Sequence, residues 1–162
     1  MEDPTQSAIN LLDLLCEDNS LWDKIRFAHE DHRWLGTAMT QITLALGSES
    51  VEYVSTQLDS EVASNALVVL FTGSRLIVWT KAGDEMKARI FARRSIRSVD
   101  LAGGKSAFAE STTGPAWPGR LFVEIELENT DRLTLPASGT AHMSRFGALA
   151  AILPSLYDDV IR

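Results

Sequence analysis

Apolar positions along the first third of the chain follow a helical spacing. Behind Asp3-Pro4, which reads as an N-cap and a first-turn proline, Ile9, Leu12, Leu15 and Cys16 predict a helix over about 4–16. Asn19-Ser20 then precedes Asp23 in a Ser-x-x-Asp arrangement similar to a capping box. Trp22, Ile25, His29, Leu35, Met39 and Ile42 continue an irregular stripe, so a second helical stretch is expected to run to about 46. Gly36 is a point of interruption within it, and Gly47 with Ser48-Glu49-Ser50 is its stop. Trp22, Ile25, Leu35 and Met39 carry more apolar surface than a short helical pair can bury by itself. These helices therefore need a packing surface, from the chain's own sheet or from a neighbouring copy.

From Val51 the period changes to short runs rich in β-branched residues. Val51–Leu58, Leu67–Thr72 and Arg75–Thr80 read as strands, the last two joined by Gly73-Ser74 as a tight hairpin. Gly83-Asp84 turns the chain into Lys87–Arg93, with Ala88, Ile90 and Ala92 on one face and Lys87, Arg89 and Arg93 on the other. Ser95–Leu101 follows as a strand in which Ile96 and Val99 break the alternation, the mark of a bulge or bend. Residues 102–119 lack periodicity and form a long loop. Leu121, Val123, Ile125 and Leu127 then alternate with Phe122 and three glutamates, and Asn129-Thr130-Asp131 returns the chain as Arg132–Leu135. A last helix over 141–161 carries Phe146, Leu149, Ala150, Leu153, Leu156, Tyr157 and Val160 on one stripe, with a kink or restart expected near Leu153 because of Pro154.

Composition narrows the class. In 162 residues, 45% hydrophobic and 23% charged, there is material for one sizeable core, and the aliphatic content excludes a disordered chain. No apolar run reaches the roughly 18 residues that a membrane-spanning helix needs. The acidic start Met1-Glu2-Asp3 is unlike a secretory signal, and a lone Cys16 forms neither an intrachain disulfide nor a multi-cysteine zinc site, so a cytoplasmic protein is expected. The net charge of −7 disfavours nucleic acid and leaves an anionic membrane surface a secondary option. The charge is uneven: −9 over residues 1–65 (12 acidic, 3 basic) against +5 over residues 75–105 (8 basic, 3 acidic).

The run Leu67–Val78, an apolar strand, Thr72, the turn and then Arg75-Leu76-Ile77, together with Ile96-Arg97-Ser98-Val99, resembles the pleckstrin-homology-like family, most closely its bacterial members. The Glu124–Leu135 hairpin and the closing helix fit in order. The resemblance covers about residues 51–162 and implies an α+β fold: a seven-stranded, mostly antiparallel barrel or sandwich capped by the C-terminal helix. The division it implies is a helical N-terminal extension over 1–47 and a pleckstrin-homology-like domain over 48–162. It further implies a non-enzymatic scaffold that binds protein segments, lipids or copies of itself. Phosphoinositide is not the expected ligand, because the loop that carries basic residues in lipid-binding members reads here Asp59-Ser60-Glu61-Val62-Ala63-Ser64-Asn65. The expected partner is a protein segment or a second copy.

Candidate chemistry is sparse. Ala102-Gly103-Gly104-Lys105-Ser106 ends like a phosphate-binding loop, but Val99 stands where its leading glycine belongs, and a flexible loop is the favoured reading. His29-Glu30-Asp31-His32 lacks the His-Glu-x-x-His spacing of a zinc site and reads as a polar face. His142 has no suggested nucleophile, and Cys16 lies on an apolar stripe. No catalytic residue, metal site or cofactor is expected. Lys81, Lys87, Arg89, Arg93, Arg94, Arg97 and Lys105 form a basic island that is either a binding strip or a solvated face. Arg89, Arg93, Arg97 and Lys105 are its candidate contacts, and the acidic helices are its expected counter-surface, within one chain or between copies. Trp117 is either an exposed recognition aromatic or, as the preferred reading, an anchor that folds the loop over the barrel. The alternative function is a small enzyme or ligand carrier with the 102–119 loop as its lid.

Overall fold

The computed structural model describes residues 3–28, 32–108, 117–138 and 143–161, without the side chains of Met143 and Ser144. The structure is α+β, with a four-stranded and a three-stranded antiparallel sheet, neither closed on itself, and a C-terminal helix. The chain forms two compact units, Met1–Phe91 and Ala92–Arg162. That division differs from a boundary at residue 47, because the N-terminal helices share one core with the first sheet.

In the first unit, Asp3 caps α1 (Pro4–Asp18) by accepting the Thr5 amide at 3.1 Å, and Asn19 ends α1 while its side chain accepts the Leu21 amide that opens α2 (Leu21–Phe27). Helix α3 (Trp34–Leu46) follows, so the break falls before Trp34, and Gly36 sits inside the helix instead of interrupting it. Strands β1 (Tyr53–Leu58), β2 (Asn65–Phe71), β3 (Arg75–Ala82) and β4 (Glu85–Ala92) pair in sequence order, with the expected hairpin at Gly73-Ser74.

The inner sheet face of Val54, Val68, Leu70, Ile77 and Trp79 packs under Leu11, Leu15, Trp22, Ile25, Met39 and Ile42. Trp22, Ile25, Leu35 and Met39 are all buried, so the first sheet supplies the surface that these helices require. Trp34 joins the aromatics, stacked on Trp79 at 6.3 Å and edge-on to Trp22 at 6.2 Å. The buried indole and the Thr56 hydroxyl are matched. Trp22 Nε1 donates to Thr56 Oγ1 at 3.0 Å, and the Thr56 hydroxyl and amide both donate to Asp18 Oδ2, at 2.7 and 2.8 Å. Asp18 thereby also closes part of the β1 edge.

A second polar node fixes the end of α3. Arg75 Nη1 donates to the Ala45 and Leu46 carbonyls at 3.0 and 3.1 Å, satisfying acceptors that a helix terminus leaves open. Its Nε pairs with Glu49 Oε1 at 3.2 Å, and Glu49 also accepts from the Ser74 hydroxyl and amide and from the Thr72 hydroxyl. The Ser74 and Thr72 hydroxyls hold the Glu49 carboxyl below the usual glutamate range.

In the second unit, a 3-10 turn (Arg93–Ser95) leads to β5 (Ile96–Gly103), then β6 (Leu121–Leu127), β7 (Arg132–Leu135) and α4 (Met143–Ile161). The register shifts between Ile96 and Ser98, the irregularity that the sequence foretells. Leu121, Val123, Ile125 and Leu127 are buried, and Phe146, Leu149, Leu153 and Leu156 of α4, which packs on β5 and β6, are buried too. Helix α4 continues through Pro154 without the expected restart; Pro154 lies on its exposed side, where solvent can satisfy the carbonyl that the ring leaves without a donor.

Two measurements check this account. Thr56→Val keeps the shape but removes the acceptor of Trp22 and a donor to Asp18, and is expected to lower stability by ~1–3 kcal/mol in urea unfolding. Because its folded pKa is lowered, Glu49 contributes stability above the usual glutamate range and loses it as pH falls through the folded value. Glu49→Gln should therefore be clearly less stable than the parent near neutral pH, with the gap shrinking under acid.

Candidate functional site

The expected cation strip separates into residues with different duties. Strand β4 ends at Ala92, and the 3-10 turn breaks the alternation that would have left Arg93 in water. Arg93 is 3% exposed; its Nε donates to Asp159 Oδ2 at 2.7 Å and its Nη2 to Ser155 Oγ at 2.6 Å, bracing the turn against α4. Arg93 is a structural ion pair, which corrects its placement on a solvent strip. Lys81 is also buried, with Nζ donating to the Ala63 carbonyl at 2.7 Å and lying 5.1 Å from the centre of the Trp34 ring. Arg89 is exposed and lies over Phe91 in the first unit, whereas exposed Arg97 and half-buried Lys105 belong to the second.

The glycines before Lys105 serve a strand pairing. The Gly104 amide donates to Arg120 O and the Lys105 amide to Pro118 O, both at 2.7 Å, so these amides do not cradle a phosphate. A side chain at Gly103 would stand 2.6 Å from Arg120 O, which explains the glycine by close backbone approach. Lys105 thus lies beside Pro118 and Gly119 at the base of the loop. Trp117 is 66% exposed, contrary to the anchor reading. Residues 109–116 of the loop, His29 to Asp31 and His142 lie outside the described residues. Among the described residues, no group of three metal-ligating side chains converges. Burial, reinforced by the Asp23 carboxylate, pushes the Cys16 thiol up to about 11, so little thiolate exists near neutral pH.

Two concave features stand out among the described residues: one of about 540 Å³ between α1 and the segment that follows α3, and a groove of about 880 Å³ between α1 and α3. Helix α1 turns Leu11 and Leu15 into the core and presents Ala8, Ile9 and Leu12 along the adjacent side. Helix α3 supplies Leu35 and Met39 from its inner side and the more exposed Gly36 and Thr40 above them, and His32 and Arg33 stand at the start of that helix. Arg33 and Gly36 are exposed, so the feature is a trough open to water. A Cβ at Gly36 would meet no atom within 4 Å.

Sequence reasoning missed this site. The available signal was the width of the α1 apolar face, since Ala8, Ile9 and Leu12 extend it well beyond Leu11 and Leu15. A second signal was Gly36, a glycine in the first turn of α3 that no tight turn requires.

The two arginine duties separate in mutants. Arg93→Ala leaves Asp159 without its partner and should cost ~3–5 kcal/mol in chemical denaturation, whereas Arg97→Ala should stay within ~0.5 kcal/mol of the parent. The chain matches no protein-family description, no curated protein and no solved structure.

Proposed function

We propose that the chain is a non-enzymatic, cytoplasmic interaction module of pleckstrin-homology-like type that binds an apolar helical segment of a protein in the α1–α3 groove. The observation that carries this reading is the groove itself: an aliphatic trough beside two helices, with the basic residues His32 and Arg33 at one end. Such a trough matches the face of an amphipathic helix, which supplies apolar residues at i, i+3 and i+4 while a flanking carboxylate meets the cation. Its openness suits a peptide better than a small ligand, since small-molecule sites enclose most of their ligand's surface. The four-then-three order of antiparallel strands, followed by a terminal helix, supports the pleckstrin-homology-like reading of the fold. No helix among the described residues is long and apolar enough to cross a membrane.

A displayed library of amphipathic helical peptides, panned against the full chain, tests the reading. Enriched peptides should carry an apolar stripe flanked by Asp or Glu and lose at least tenfold in affinity to Gly36→Leu and to Arg33→Glu. Leucine at position 36 fills the trough while favouring the helix, so circular dichroism should show an intact fold. A library that yields no binder, or binders indifferent to both substitutions, would refute the groove.

A further inference from the structure

The second unit carries a surface with the properties that the groove requires. The outward side of α4 runs through Gly147, Ala151, Pro154, Tyr157 and Ile161, all exposed. Ile161 is 84% exposed, Tyr157 40% and neighbouring Val160 38%, so the last two turns show a continuous apolar stripe. Positions 157, 160 and 161 stand at helical i, i+3 and i+4, and Asp158 flanks them. Asp158 is the one charged residue among the exposed side chains described on this helix. A solvent-facing helix side is ordinarily polar, and an apolar one marks a contact surface.

We infer that the occupant of the groove is the outward face of α4 from a second copy of this chain, with Asp158 of one copy set against Arg33 of the other. This inference rests on the groove reading above and names its partner. The two surfaces complement each other in kind: an aliphatic trough with a basic end, and an apolar helix stripe with one carboxylate. Each is left open by the fold that bears it, and every copy brings both. Burial of Ile161, Tyr157 and Ile9 drives the contact, while the Asp158–Arg33 pair fixes the direction in which the helix lies. The contact joins different surfaces on the two copies, so it either closes as a reciprocal pair or a ring or extends into a chain.

The experiment is sedimentation equilibrium of the full chain across a wide concentration range, for the parent, Arg33→Asp, Asp158→Arg and the double substitution. The parent should exceed the monomer mass. Each single substitution sets like charges together and should weaken association at least tenfold, and the double substitution, which restores an opposite pair, should recover it. Both residues are exposed, so unfolding midpoints should move little. A parent that stays monomeric throughout, or an oligomer indifferent to both single substitutions, overturns the inference. The outcomes for the two readings remain distinct. A monomeric parent whose selected peptides are still lost in Gly36→Leu rejects the second copy alone, whereas failure of the peptides as well rejects the groove.

Discussion

The inner face of the first sheet has to be covered, and the first unit is organised around that requirement. Val54, Val68, Leu70, Ile77 and Trp79 form one aliphatic and aromatic surface, and helices of 15, 7 and 13 residues are too short to be stable in water without it. Sheet and helices therefore form as one body. Burial sets its own polar conditions: an indole on that face needs an acceptor, which is why Trp22 meets Thr56 and Trp79 meets Gln41 Oε1 at 2.8 Å. The need to cover the sheet also fixes the rotation of α1. With Leu11 and Leu15 committed downward, Ile9 and Leu12 are carried to the side, and the groove is a by-product of how the core is covered.

Charge is used locally in this chain. A basic segment within an acidic protein invites a reading in terms of an external partner, yet three of its members are engaged within the fold. Arg75 holds the end of α3, Lys81 caps the Ala63 carbonyl and Arg93 joins the 3-10 turn to α4. Guanidinium suits such duty because its fork of donors can serve two partners at once, as Arg93 does with Asp159 and Ser155. Arg93, which is buried and paired with Asp159, adds little to the field outside, so a tally of charge along the sequence overstates the strip at that position.

What could be read from the sequence follows the range of the interactions involved. The hairpin at Gly73-Ser74, the alternation in Leu121–Leu127, the irregularity after Ile96 and the order of helices and strands rest on residues close together in the chain, and all are legible. The duty of Arg93 rests on Asp159, 66 positions away, and nothing local reports it. The glycines before Lys105 depend likewise on how two segments approach across a ladder. The groove is intermediate. Its residues are visible as apolar or small positions, but which side of α1 faces the core is settled by the sheet and not by the helix's own pattern.

Two glycines show how a structural need within the chain differs from a space left open. At Gly103 a side chain would strike a carbonyl of the neighbouring strand and the backbone is left-handed at φ +80°, so the fold alone demands glycine. Gly36 has neither constraint: it stands in the first turn of α3, and an added Cβ would meet nothing within 4 Å, as is also true at Gly147 of α4. The internal structure gives no physical reason for the missing Cβ. What the missing Cβ leaves is room, because a backbone or aromatic face can come nearer to an axis without a side chain than to any other part of a helix. At Gly36 that room lies at the rim of the trough whose floor is Leu35 and Met39.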